Sequence, residues 1–248
     1  MSTKPKNTQL QLFIILSSIF IASLVSCNLI FQKFFSIDIW IPFIGDYTFE
    51  QSVGLLAYPV TFLVTDIISE IYGQKRANQV VAAGLIASIF ILVLVTISDL
   101  IPSAAFGTGN TFAYNSATET EENIFHIVFG LSSAAVFASM IAYLFAQYID
   151  IRLFHFWKRL TKGKHLWLRN NASTICSQFI DTCCVLLLLC FFNVIPWEKF
   201  SVLLVNGFLF KIFFAAFDTP FFYLFSNLAR KKFNLKLGQD LSEKGISH

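Results

Sequence analysis

Apolar positions in this chain gather into long unbroken runs, not into the spacings that mark half-buried helices or strands of water-soluble domains. A helix needs about 20 residues to cross the ~30 Å hydrocarbon core of a bilayer. Six runs reach that length, near 10–31, 52–71, 79–99, 124–148, 171–195 and 201–227. The pattern predicts an all-α integral membrane protein. The expected arrangement is a six-transmembrane-helix bundle forming a single polytopic domain over residues 1–248, with both termini on the same side. The third run, VVAAGLIASIFILVLVTIS, is apolar throughout, whereas the second, fifth and sixth carry ionisable groups. Function is expected on those three.

Basic residues are retained on the cytoplasmic side during insertion, and their distribution orients the bundle. Lys4 and Lys6 precede the first run, Lys75 and Arg76 follow the second, six basic residues follow the fourth and five lie in the C-terminal tail. The opposite loops hold only Lys33 and Lys199, and the segment 100–123 has three Glu and no basic residue. Both termini are therefore expected in the cytoplasm. The four Trp, at 40, 157, 167 and 197, fall at the expected membrane edges, where an indole finds both an apolar bed and a hydrogen-bond partner. The mixed aromatic and basic stretch 151–168, IRLFHFWKRLTKGKHLWL, reads as a segment lying along the cytoplasmic lipid surface, with His155 and His165 interfacial.

Composition agrees: 56% of residues are hydrophobic and only 13% charged, about half the charged share of soluble chains. The net charge of +3 sits in a few loops and gives no nucleic-acid surface. Cys27, Cys176, Cys183, Cys184 and Cys190 all lie within apolar runs, which favours packing over a disulfide framework, zinc site or redox pair. LVSC at 24–27 has the look of a lipoprotein cleavage box. The apolar run before it is longer than a signal-peptide core, so the first helix is expected to stay.

An ionisable side chain near mid-bilayer costs at least ~2.5–3.5 kcal/mol on insertion scales, so each asks for a partner or a function. Asp66 and Glu70, four residues apart on the second run, share a face; Glu70, near the interface, has the alternative of snorkelling. Thr174, Gln178 and Asp181 make one polar stripe on the fifth run. Asp181 lies about 16 Å beyond Asn170 along a helix, near the midplane. Lys211 and Asp218, two turns apart on the sixth, are too far apart to pair with each other. Lys211 is expected to neutralise Asp181 or Asp66 from a neighbouring helix, and a purely structural ion pair is the alternative. Gly207 and Pro220 are expected to loosen the sixth helix.

The chain has no HExxH, nucleophile elbow, Walker A loop or GxGxxG, so transport is favoured over catalysis. No cofactor or metal is expected, and any coupling to ATP would need a separate ATPase partner. The segment YPVTFLVTDIISEIYGQKRANQVV at 58–81 closely resembles the signature of the queuosine precursor transporter family, also called the vitamin uptake transporter family. NLIFQK at 28–33, LWLRNNASTICSQFIDT at 166–182 and LVNGFLFKIFFAAFDTPFFY at 204–223 resemble its pattern in order and spacing.

The resemblance implies import of 7-deazaguanine bases (queuine, preQ1 or preQ0), which cells use to modify the wobble guanine of certain transfer RNAs, across a bacterial cytoplasmic membrane. Adjacent N–H donors on such a base suit a carboxylate, for which Asp66 and Asp181 are candidates. Gln178 or Asn170 would read the remaining edge, and aromatic faces would stack on the ring. Asp66, Glu70, Asn170, Gln178, Asp181, Lys211 and Asp218 are thus the expected substrate-binding set. A capture subunit of an ATP-driven vitamin uptake system, or a non-transport scaffold or enzyme, are the alternatives.

Overall fold

The computed structural model describes residues 4–31, 33–41, 45–101, 112–115, 120–130, 133–161, 166–192, 195–236 and 239–241. Among them are six long helices: α1 (Lys4–Ile30), α2 (Tyr58–Tyr72), α3 (Gln74–Leu100), α4 (Ser133–Leu160), α5 (Leu166–Phe191) and α6 (Phe200–Phe233). Four described stretches are long and apolar enough to cross a membrane: Asn7–Ile30, Val53–Tyr72, Gln74–Leu100 and Trp197–Phe233. A shorter apolar stretch, Ile175–Phe191, lies within α5.

α2 is the axis of the bundle. It packs against α1, α3, α4 and α6, and from Thr61 to Tyr72 all but Leu63 are buried. Such a helix has no lipid face, which explains why Thr61, Thr65, Asp66, Ser69 and Glu70 are tolerated in an otherwise apolar run: each is enclosed by protein. Pro59 stands in its first turn, where a missing N–H costs nothing. Gly73, at φ 83°, supplies the turn that lets α3 begin one residue later.

The outer helices are built oppositely. α3 turns Ile86, Phe90, Val93, Leu94 and Ile97 outward, and α6 does the same with Leu209, Phe213, Phe217 and Leu224. In water these would form a large apolar patch; against lipid tails they are at home.

Three departures from the sequence expectation matter. The fold is not wholly helical: β1 (Phe34–Ile41) pairs antiparallel with β2 (Gly45–Ser52), and β3 (Phe112–Asn115) with β4 (Thr120–Asn123). The first hairpin follows from the β-branched and aromatic content of FFSIDIWI. Residues 151–160 are not a separate element, because α4 runs on through them, burying Ile151, Phe154 and Lys158 while Arg152, Phe156, Arg159 and Leu160 stay exposed. α6 stays helical through both Gly207 and Pro220, although Pro220 removes one helical hydrogen bond. His165 lies outside the described residues.

Candidate functional site

A cavity of about 720 Å³, counting its open mouth, lies between the C-terminal half of α5, the first turns of α6, the end of α1 and the β1–β2 hairpin. Its charged wall is Asp181 of α5 and Lys211 of α6. Lys211 Nζ donates to Asp181 Oδ2 at 2.5 Å, with both side chains almost fully buried. The partner expected for Lys211 is thus found on α5, not on α2. Asp181 Oδ1 has no hydrogen-bond partner among the described residues, so the carboxylate keeps an acceptor in hand beside the cavity. The Lys211 ammonium also lies 5.0 Å from the centre of the Tyr58 ring, close enough for a cation–π contact.

The hairpin closes one side. Gln51, at the end of β2, lines the cavity; its Oε1 accepts from the Ser52 N–H at 3.0 Å, which leaves Nε2 as the group it presents. Gly207 makes this possible, since a Cβ there would lie 3.0 Å from Gln51 Nε2 and 3.3 Å from Thr182 Cγ2. Its role is close approach of the hairpin, not relaxation of the helix. The hairpin is further held by Tyr47 donating to Asn206 Oδ1, by Lys199 and Glu50 at 3.2 Å, and by Phe49 stacked on Phe210.

A smaller cavity of about 260 Å³ continues beyond Lys211 and Tyr58, which line both. Gln178 and Asp218 face it together with Phe62, Phe210 and Phe214. Gln178 is only 4% exposed, and its Oε1 has no hydrogen-bond partner among the described residues.

Of the residues singled out in the sequence, Gln178, Asp181, Lys211 and Asp218 are brought together by these two adjoining cavities. Asp66 and Glu70 are not; both are buried on α2, and Glu70 is paired with Arg230 of α6, so it does not snorkel. Asn170 and Thr174 belong to α5, but their side chains lie outside the described residues. Gln51, Tyr58, Asn28 and Asn206 were missed. Asn28 and Asn206 are polar breaks in apolar runs, the same signal that found Gln178, whereas Gln51 becomes visible only once the hairpin folds back on α6.

A helical, multi-pass membrane protein with a charged, ligand-sized cavity between its helices has the layout of a solute transporter. Residues 52–225 match the family described as putative vitamin uptake transporter, and the chain belongs to that family. It is similar to the "Probable queuosine precursor transporter" of Bacillus subtilis (strain 168), with 25% identity over 173 residues, 69% of this chain and 70% of that protein. A protein of the same name from Haemophilus influenzae (strain ATCC 51907 / DSM 11121 / KW20 / Rd) is 23% identical over 138 residues, 56% of this chain and 51% of that one. No solved structure matches the chain.

Proposed function

We propose that this transporter imports 7-deazaguanine bases, of the queuine, preQ1 and preQ0 kind, across a bacterial cytoplasmic membrane through six spans with both termini inside. The relatives' names supply the substrate class, and the carrying observation is the half-used carboxylate of Asp181. Lys211 holds one oxygen; the other oxygen is an acceptor for a base N–H beside the cavity. Tyr58 offers an aromatic face next to it, and the Gln51 amide N–H donors suit a ring carbonyl.

Uptake of queuine, preQ1 and preQ0 by cells lacking both synthesis and import, with and without this chain, tests the reading. Asp181→Asn should abolish uptake while the protein still inserts; normal uptake by well-expressed Asp181→Asn would sink it. Uptake by the protein alone in liposomes is expected, and a requirement for co-expressed ATPase subunits would make it a capture subunit instead. The basic-residue count supports the orientation, which labelling of cysteines placed at Lys236 and Asn115 reads directly: inside for the first, outside for the second.

A further inference from the structure

The two adjoining cavities do not balance their charge. Among the described residues lining them, the only Asp, Glu, Lys, Arg or His side chains are Asp181, Lys211 and Asp218. Lys211 is committed to Asp181. Asp218 has no ion pair among the described residues, and the wall around it is aromatic, from Phe62, Phe210 and Phe214. Gln178 lines the same space, and its buried carbonyl oxygen is also without a hydrogen-bond partner among the described residues. A carboxylate, a bare carbonyl oxygen and aromatic faces share one preference, for a small cation carrying N–H donors.

We propose that the smaller cavity is a subsite for a protonated amine on the substrate, with Asp218 as its counter-charge, Gln178 Oε1 as a second acceptor and Tyr58 as the aromatic wall between ring and amine. This rests on the deazaguanine reading and sharpens it. With the ring beside Asp181, a short substituent passing Lys211 and Tyr58 enters the smaller cavity, since Gln178 lies three residues, ~4.5 Å of helix, from Asp181. Queuine and preQ1 carry an amine on that substituent and are cationic at neutral pH; preQ0 carries a nitrile and is neutral. The cavity pair then holds two negative and two positive charges with an amine-bearing base bound, and stays one positive charge short with preQ0. Asp218 is thereby a specificity-determining residue.

The test is competition among the three bases for uptake by the full-length protein, wild type and Asp218→Asn, with Gln178→Leu as a second variant. Wild type should favour preQ1 over preQ0 by about tenfold or more, the worth of one charge-assisted hydrogen bond. Asp218→Asn should remove most of that preference by weakening preQ1 far more than preQ0, with membrane yield and thermal stability in detergent certifying that the variant is folded. Gln178→Leu should narrow the preference by a smaller factor.

Equal handling of preQ1 and preQ0 by the wild type overturns the subsite and leaves deazaguanine import standing. An equal loss of all three bases in Asp218→Asn, with Gln178→Leu keeping the wild-type preference, also overturns it. A sodium requirement for preQ0 uptake that disappears in Asp218→Asn would assign the cavity to an alkali cation and overturn the amine. Failure of the wild type to take up any base removes the function and the subsite together.

Discussion

The hairpin-side half of this bundle and its tail-side half solve the same problem, buried charge in an apolar chain, in opposite ways. On the hairpin side, the pair of Asp181 and Lys211 stands at a cavity, with one carboxylate oxygen unmatched. On the tail side, ions are packed away. Arg230 bonds Glu70, Lys158 meets Asp240 at 3.2 Å, Ser177 donates to Asp150, Gln147 donates to Thr65, and the Leu241 N–H reaches the carbonyl of Ile71 at 2.9 Å. Leu235 and Leu241 join the main apolar cluster with Ile71, Phe154 and Phe222. One half sets its ion pair at the wall of a cavity, where a ligand can reach it; the other encloses its ions among its own side chains, lining neither cavity.

The sharpest way to break that comparison is to remove one cation from each half. Arg230→Met takes the guanidinium away from the buried Glu70 carboxylate, which should cost about 3–5 kcal/mol and most of the folded yield. Adding Glu70→Gln should restore much of it. Yield and thermal stability in detergent measure both, and a stable single variant would show that the tail-side pair is not a lock.

Lys211→Met should cost less, about 1–3 kcal/mol, because Asp181 borders a space that admits water. Transport should nevertheless be lost. Joining it to Asp181→Asn should recover folding without uptake, whereas recovery of both would make the pair purely structural. If Lys211→Met is stable and fully active, the counter-charge assignment to Lys211 fails.

The smallest effect is expected from Gly207→Val. Its added methyls must displace Gln51 and press on Thr182, costing about 1 kcal/mol in stability. Uptake should fall severalfold as the amide is pushed from the cavity. A wild-type rate would mean that Gln51 contributes nothing to binding.

Much of this was legible in the sequence because lipid imposes a simple rule: apolar residues run on until the helix ends. That rule finds the six long helices, with ends off by up to six residues in five of them and by nine and twelve in α4, and it makes every interruption conspicuous, so Gln178, Asp181, Lys211 and Asp218 stood out. It fails where water begins. Lys158 lies in the stretch 151–168 that reads as interfacial, yet α4 carries it, with Asp150, into a polar interior formed with α5 and the tail. Gln51 lies at the edge of the second run, and its place depends on a hairpin folding back over α6. Asp66 and Glu70 were conspicuous for the same reason as Asp181, but periodicity cannot say which buried acid meets a cavity and which meets an arginine.

α6 spans 34 residues, roughly 51 Å at 1.5 Å per residue. Along that one rod lie the hairpin contact at Asn206, the cavity ammonium of Lys211 and the tail-side clasp of Arg230. A stiff rod gripped at both ends behaves as a lever, so a tilt that loosens one grip is felt at the other. The exception is a joint, and Pro220 is placed to be one. Its missing N–H leaves the Ala216 carbonyl without its helical partner, between Lys211 and Arg230. The rod therefore has its weakest point where bending would let the cavity end swing while the clasp stays shut.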